Sequence, residues 1–218
     1  ISMTICHERR LIFIHIPKNA GTSIIKSIGV QNILIDKTIE EYKKHYGEYW
    51  NEYKKFTVVR DPIDRFISAY KYARMKESGW FSATGEEGLD KHPHYELCNE
   101  LDINGYVEYI YHNKKVFYGK KEYNPSIIPQ TFIISNKNKE IEIDFFVRYE
   151  NLLEDLKKIG IDSIKKLNSS KIKDDRVIQL TRKSKNILYE IYDIDYQNFN
   201  YTKNKINTPR FKFDIDYA

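Results

Sequence analysis

A polar loop that could bind an anion lies near the start of the chain, directly after the almost continuously apolar residues 11–16. The loop reads Pro17-Lys18-Asn19-Ala20-Gly21-Thr22-Ser23. Backbone N–H groups between a buried strand and a helix bind anions; here Lys18 adds a charge, Gly21 allows close backbone approach, and two hydroxyl side chains add donors. Because Lys18 precedes the glycine, the loop is not a Walker A motif. We expect an anion site, with a capped turn and a solvated lysine as the alternative.

A second loop of the same kind follows residues 56–59, which are apolar except for Thr57. Arg60 ends that run, Asp61 and Pro62 can begin a helix, and Ser68 lies two helical turns further along. A guanidinium and a hydroxyl group on one side of a helix start can hold a phosphate jointly. A salt bridge at the helix start is the alternative for Arg60. Two anion sites on adjacent strand ends predict a ligand with two separated anionic groups.

Apolar runs and helical periodicity predict the elements that position these loops. We expect strands at 11–16, 56–59, 131–135 and 143–147, and helices at about 22–29, 38–53, 62–70, 105–112, 151–159 and 177–192. Thr22 is expected to cap the first helix, and Arg65 to lie opposite the apolar face of the third. Strands that alternate with helices indicate an α/β fold, with a mostly parallel central sheet flanked by helices.

The two loops resemble the donor-binding motifs of the sulfotransferases that use 3′-phosphoadenosine 5′-phosphosulfate, in particular the carbohydrate branch with Golgi-type and bacterial members. Residues 14–23 are similar to that family's 5′-phosphosulfate loop, in which threonine is commoner than asparagine at the position of Asn19. Residues 56–70 are similar to its 3′-phosphate strand and helix. Residues 129–130, 148–152 and 192–201 also resemble family segments, in the family's order. The resemblance spans nearly the whole chain and is weakest between Ser78 and Asn124.

The resemblance implies a P-loop-like sulfotransferase fold and transfer of a sulfuryl group from the nucleotide donor to an acceptor hydroxyl or amine, on a carbohydrate, without a metal. It implies that Lys18 balances the charge that develops on the leaving phosphate. The other donor-loop residues that would hold the 5′-phosphate are Asn19, Ala20, Gly21, Thr22 and Ser23. Arg60 and Ser68 would bind the 3′-phosphate. The late polar stretch that would cover the nucleotide, or remain a solvated loop, contains Ser170, Lys171 and Lys173.

The acceptor must lose a proton, so we expect a general base near Lys18. Many bacterial relatives carry a histidine before the Arg-Asp-Pro motif, but this sequence has Asp36 in the corresponding stretch. Asp36 can serve if burial raises its pKa toward neutrality, and a helix N-cap is the alternative. His45 is the competitor because histidine ordinarily titrates near neutral pH, and a solvated helical residue is the alternative. We favour Asp36 over His45.

The acceptor side is expected in the loosely patterned residues 78–124. Trp80, Tyr95 or Tyr106 could hold a sugar, and His92 or His94 could contact the acceptor. The two histidines and Cys98 could also surround zinc, but a fourth ligand is missing and a proline between the histidines suits an exposed turn. The sequence does not identify the acceptor.

Length and composition favour a single domain over residues 1–218, and the resemblance implies a nucleotide-binding core at about 11–76 and 127–200. The chain has 218 residues, and its net charge of +5 is spread along the sequence. This favours a small anionic ligand or a glycan over nucleic acid as the partner. We expect no membrane span, because no apolar stretch is long enough. Cys6 and Cys98 are expected to be free thiols.

Few cysteines and a compact length favour a bacterial-type cytoplasmic protein, with a Golgi-lumenal enzyme lacking its anchor as the alternative. Two other functions stay open. A P-loop-like kinase would use the same layout, but it needs a lysine and a hydroxyl residue at the helix start and a carboxylate for Mg²⁺. A non-catalytic protein that binds anions or nucleic acid could use the basic surplus and the aromatic residues.

Overall fold

The structure is a computed structural model that describes residues 4–30, 38–75, 92–118, 124–164 and 178–203. The predicted site residues outside these ranges are Asp36, Trp80, Ser170, Lys171 and Lys173. The chain divides into two compact units. The first unit comprises Ile1–Asp61 and Gln130–Lys171, and the second unit comprises Pro62–Pro129 and Ile172–Ala218. The single-domain organisation stays a prediction.

The described elements of the first unit are strands and helices, and those of the second unit are helices. The elements in chain order are β1 (Ile5–Cys6), β2 (Leu11–Ile14), α1 (Gly21–Ser27), α2 (Ile39–Tyr46), α3 (Glu48–Glu52), β3 (Lys54–Val59), α4 (Pro62–Ala73), α5 (Tyr95–Glu100), α6 (Ile103–His112), α7 (Gln130–Ile133), β4 (Phe145–Arg148), α8 (Leu152–Lys157), α9 (Arg182–Ile191) and α10 (Asp193–Phe199). Short 3₁₀ helices lie at Lys114–Phe117 and Tyr149–Asn151. None of the helices in the described ranges is long and apolar enough to span a bilayer.

One sheet in the described part of the chain joins four strands in the order β1-β2-β3-β4. β1 runs antiparallel to β2, whereas β2 with β3 and β3 with β4 are parallel. Ile14 pairs with Thr57, and Val59 pairs with Arg148. The carboxyl ends of β2, β3 and β4 therefore lie at one edge of the sheet. The predicted α/β class with a mostly parallel sheet is confirmed.

β2 is buried along its whole length and β3 along its last four residues, which is why both are apolar rather than alternating in sequence. Thr57 is the polar exception in β3, and its hydroxyl donates to the carbonyl of Ile14 at 2.7 Å. Phe13 and Phe56 lie in one apolar cluster with side chains from α1 and α8. The helices thus cover a sheet face whose strands end in the two polar loops.

Two predicted elements differ from the observed ones. The predicted strand at 131–135 is wrong, because residues 130–133 form helix α7 and Ser135 makes only an isolated bridge to Ile141. A short apolar run fits either element, and length alone did not separate them. The predicted helix at 38–53 is two helices, α2 and α3, separated by Gly47 at φ 55°.

The predicted N-cap of the first helix is also wrong. Helix α1 begins at Gly21, and Ala20, not Thr22, occupies the cap position at φ 62° without a side-chain cap hydrogen bond. Thr22 is exposed in the first turn. The Thr22 hydroxyl therefore does not cap the N-terminus of the helix, and the conformation of the loop at Ala20 determines where the helix begins.

Arg65 in the second unit contradicts its predicted place on the polar side of α4. The residue is only 1% exposed. Its guanidinium donates to the carbonyl of Ile128 at 2.6 Å and to that of Pro125 at 3.1 Å. Main-chain carbonyls make burial of this cation tolerable, because a buried charge needs hydrogen-bond partners. Charge alone therefore did not predict exposure.

Both cysteines are buried and free, as expected. Burial raises the pKa of Cys98 to about 12, and a hydrogen bond with Tyr106 and the charge of Arg74 offset this only in part. The thiol is neutral at physiological pH. Within the described ranges, no three or more His, Cys, Asp or Glu side chains are grouped as metal ligands.

Candidate functional site

Three polar segments meet the carboxyl edge of the sheet in the first unit. Residues 15–20 follow β2, Arg60 follows β3, and the 3₁₀ helix Tyr149–Asn151 follows β4. Parallel pairing brings these segments together. This edge of an open parallel sheet is where ligands bind in α/β proteins.

The loop after β2 has an unusual backbone. Lys18 has φ 71° and Ala20 has φ 62°, so two non-glycine residues within three positions are left-handed. Each such residue costs about 1–2 kcal/mol relative to the right-handed conformation. Turns that combine left- and right-handed residues direct successive N–H groups into a concave anion site. The anion site expected from the sequence stays a prediction.

Gly21 is packed directly against the imidazole of His15. A Cβ atom at Gly21 would lie 2.2 Å from Cδ2 and 2.2 Å from Nε2 of that ring. The backbone N–H of His15 donates to the hydroxyl of Tyr42 in α2 at 3.4 Å. The sequence predicted that the missing side chain at Gly21 leaves space for a ligand. The structure adds that it leaves space for the His15 ring.

The buried side chain of Asn19 anchors the middle of this loop. The residue is 1% exposed, and its Nδ2 donates to the carbonyl of Val58 and to Oε1 of Gln130, both at 2.7 Å. Its Oδ1 is buried and accepts no hydrogen bond from the described residues. That oxygen suits a hydroxyl, an amine or water rather than a phosphate, because a phosphate oxygen at neutral pH is chiefly an acceptor.

Arg60 is held beside the loop by neutral groups. One terminal nitrogen of its guanidinium donates to the carbonyl of Lys18 at 3.2 Å, and the guanidinium carbon lies 4.1 Å from the ring centroid of Tyr149. Nε is buried and has no hydrogen-bond partner among the residues described. In that part of the chain Arg60 pairs with no carboxylate, unlike in the salt bridge weighed as an alternative.

A carboxylate of the same edge binds the next backbone group instead. Glu150 accepts a hydrogen bond from the N–H of Asp61 at 2.8 Å through Oε1. The segment after β4 therefore contributes to the loop after β3 twice, through the ring of Tyr149 and through Glu150. The Tyr149 ring thus contacts the Arg60 side chain, and the Glu150 carboxylate holds the main chain of Asp61.

Three further predicted site residues are described: Ser23 and His45 in the first unit and Ser68 in the second. Ser23 is half-buried in α1, and Ser68 is half-buried in α4 of the second unit. His45 is exposed in the last turn of α2, with its ring centroid 4.9 Å from that of Tyr46. Their roles, and that of Asp36 outside the described residues, stay predictions.

His92 and His94 are both buried in the second unit, at 2% and 4% exposure. Nδ1 of His94 is 2.7 Å from the hydroxyl of Tyr106, and the backbone N–H of His94 donates to Nδ1 of His92 at 3.0 Å. The proline between the histidines is exposed. Acceptor contact by these histidines stays a prediction.

Sequence reasoning assigned no role to Gln130, His15 or Tyr149, which the structure brings to this edge. Each lies inside a segment that resembles the family, and that resemblance was the available signal. Their contacts link residues far apart in the chain, so local patterning could not predict them.

A mostly parallel sheet, with the Lys18 loop and Arg60 side by side at one edge, defines an α/β protein. A model of the sulfotransferase family matches residues 2–202, and the chain belongs to this family. It is 22% identical over 233 residues to carbohydrate sulfotransferase 9 of Homo sapiens, which confirms the resemblance to the carbohydrate branch. The alignment covers 89% of this chain and 52% of that protein, so the chain spans about half the length of the curated relative. No solved structure gives a significant match.

The close contact at Gly21 predicts a loss of stability on substitution. Gly21→Ala should lower the free energy of unfolding by about 1–3 kcal/mol, because the new Cβ displaces the His15 ring. Gly105→Ala in α6 is the control, since its Cβ would meet other atoms only at 3.4 Å. Urea denaturation measures both. Equal stabilities of the two variants would contradict the contact.

Proposed function

We propose that the chain transfers a sulfuryl group from 3′-phosphoadenosine 5′-phosphosulfate to a hydroxyl or amine of a carbohydrate acceptor. One observation carries the proposal: the Lys18 loop and Arg60 lie at the same sheet edge and are joined by the 3.2 Å contact between the Arg60 guanidinium and the Lys18 carbonyl. Two cationic segments held side by side suit a nucleotide that carries phosphate groups at two positions.

The loop after β2 is assigned to the 5′ end of the donor. Left-handed residues such as Lys18 and Ala20 occur in the turns that bind anions through backbone N–H groups, which supports this assignment. The Lys18 ammonium would stabilise negative charge on the phosphate that leaves as the sulfuryl group moves to the acceptor. Gly21, Thr22 and Ser23 would contribute backbone and hydroxyl donors. In this assignment the chain supplies binding and charge, and the donor supplies the sulfuryl group.

Arg60 is assigned to the 3′-phosphate. Its Nε is a buried donor without a partner in the described residues, and a phosphate oxygen would satisfy it. A planar guanidinium can offer two parallel donors to a phosphate. Ser68 is proposed as a second donor to that phosphate. Ser170, Lys171 and Lys173 are proposed to cover the nucleotide.

A carbohydrate acceptor is supported by the similarity to a protein named carbohydrate sulfotransferase 9. We assign acceptor contacts to Trp80, His92 and His94, in the region where the family resemblance is weakest. A chain that spans about half of that relative does not inherit the relative's acceptor. A panel of glycans, lipids and small alcohols incubated with radiolabelled donor would identify the acceptor of this chain.

Calorimetric titration separates the proposed function from its rivals. Adenosine 3′,5′-bisphosphate that binds tightly without Mg²⁺ supports the sulfotransferase. ATP that binds only with Mg²⁺ supports the P-loop-like kinase. If the chain binds neither nucleotide, the remaining function is that of a non-catalytic protein that binds anions or nucleic acid.

Loss of the Lys18 ammonium should affect turnover more than binding. We expect Lys18→Ala to lower the rate of sulfuryl transfer by about 10²–10³-fold, because the charge that it stabilises develops during transfer. Bisphosphate binding should weaken but remain measurable. Lys26→Ala, an exposed lysine in α1, is the matched control and should keep wild-type turnover. Wild-type turnover in Lys18→Ala would refute the assignment.

Removal of the Arg60 side chain should weaken the binding of nucleotides that carry a 3′-phosphate. Arg60→Ala should cost about 1.5–3 kcal/mol of bisphosphate binding, because a charge-assisted hydrogen bond contributes about that much. Ser68→Ala should cost less bisphosphate binding free energy. Both variants should bind adenosine 5′-phosphosulfate as tightly as the wild-type chain does. Calorimetry with the two nucleotides measures the difference. Equal losses for both would mean that Arg60 is structural.

The general base can be tested with two isosteric or near-isosteric changes. We expect Asp36→Asn to reduce the transfer rate by about 10²-fold or more, the lower end of a general base's usual contribution, and His45→Asn to reduce it less. The pH–rate profile should lose its acidic limb in Asp36→Asn. Full activity of Asp36→Asn together with a large loss in His45→Asn would reverse the order.

A further inference from the structure

Gln130 is a fully buried amide that bonds both anion-binding loops of the first unit. Its Oε1 accepts from the backbone N–H of Arg60 at 3.0 Å and from Nδ2 of Asn19 at 2.7 Å. Its Nε2 donates to the carbonyl of Arg60 at 2.9 Å. One side chain thus holds both main-chain groups of Arg60 and the side chain that anchors the loop after β2.

These three bonds fix the orientation of the Gln130 amide. The N–H of Arg60 requires an oxygen and the carbonyl of Arg60 requires an N–H, so a flipped amide would face like groups on both sides. The Asn19 amide is fixed in the same way, since its two described bonds both use Nδ2. The two amides form a rigid link, because each has one allowed orientation.

The two amides, Gln130 and Asn19, join the two loops on their buried side. Asn19 lies between the two left-handed residues of the first loop, and Arg60 is the residue that begins the second. At the surface the same loops touch again through the Arg60 guanidinium and the Lys18 carbonyl. The Gln130 amide therefore sets the distance between the Lys18 backbone and the Arg60 side chain.

We propose that Gln130 is a positioning residue that sets the spacing of the two anion-binding loops and thereby favours a nucleotide with two phosphate positions over one with a single position. This inference rests on the proposed function, because it assumes that one ligand uses both loops. A ligand with phosphates at both ends needs the loops at a fixed distance, whereas a monophosphate needs only one of them. Gln130 touches no reacting atom and acts through Asn19 and Arg60.

The preference for two phosphates over one is the quantity to measure. We would titrate the full chain with adenosine 3′,5′-bisphosphate and with adenosine 5′-phosphate and take the ratio of their dissociation constants. Gln130→Met keeps the side-chain length but removes all three hydrogen bonds. We expect this variant to lower the preference by about tenfold, the change that 1.4 kcal/mol of binding free energy produces.

Thr57→Val is the matched control for a general loss of stability. Thr57 is fully buried in β3 of the same unit, and the change removes its hydrogen bond to the Ile14 carbonyl, which belongs to β2 and to neither loop. It should lower the thermal midpoint and leave the preference unchanged. If Gln130→Met does not fold, Gln130→Asn replaces it: this variant keeps an amide that is too short to reach both loops, and the same loss of preference is expected.

The outcomes separate this inference from the proposed function. A lower preference in the Gln130 variant, with an unchanged preference in Thr57→Val, supports the inference. If the Gln130 variant weakens both nucleotides by the same factor, the residue is structural and the inference is wrong, although the proposed function stands. If the wild-type chain binds no bisphosphate, the proposed function fails, and the inference fails with it.

Discussion

Parallel pairing of β2 with β3 puts the ends of both strands at one edge of the sheet, and the candidate site depends on this arrangement. In the register that pairs Ile14 with Thr57, the loop after β2 and Arg60 emerge side by side. An antiparallel pair would place these ends at opposite edges. The 3.2 Å contact between the Arg60 guanidinium and the Lys18 carbonyl could then not form. β4 extends the same logic, because its parallel pairing brings Tyr149 beneath the arginine.

The loop after β2 carries strain that the residues beneath it must offset. Two left-handed non-glycine residues, Lys18 and Ala20, cost about 2–4 kcal/mol together, a large fraction of a domain's net stability. Two buried hydrogen bonds from Asn19 and the packing of His15 over Gly21 fix the loop in that conformation. Strained backbone that is held by buried contacts is characteristic of binding sites, where it presents groups in a fixed geometry before the ligand arrives.

The sequence predicted the strands that carry the site, because strands buried on both faces are mostly apolar, as β2 and, apart from Thr57, the last four residues of β3 are. It also predicted the Lys18 loop and Arg60 at adjacent strand ends. It did not predict Gln130, since the run after this residue was interpreted as a strand and its bonds reach partners 70 and 111 residues away. Arg65 was placed on the wrong side of its helix for a related reason. Only the folded chain reveals the carbonyls that satisfy it.

The partners of Arg60 position its guanidinium without neutralising it. The Lys18 carbonyl and the Tyr149 ring carry no net charge, and the Glu150 carboxylate accepts a hydrogen bond from the N–H of Asp61. A carboxylate bonded to Arg60 would compete with any phosphate for the same donors. Neutral partners leave the full positive charge of Arg60 to interact with a ligand. Because they already hold the side chain in place, they also reduce the conformational entropy that Arg60 loses on binding. The helix-start salt bridge that the sequence left open would have produced the opposite arrangement. The geometry of Arg60 therefore favours an anion receptor over a structural ion pair.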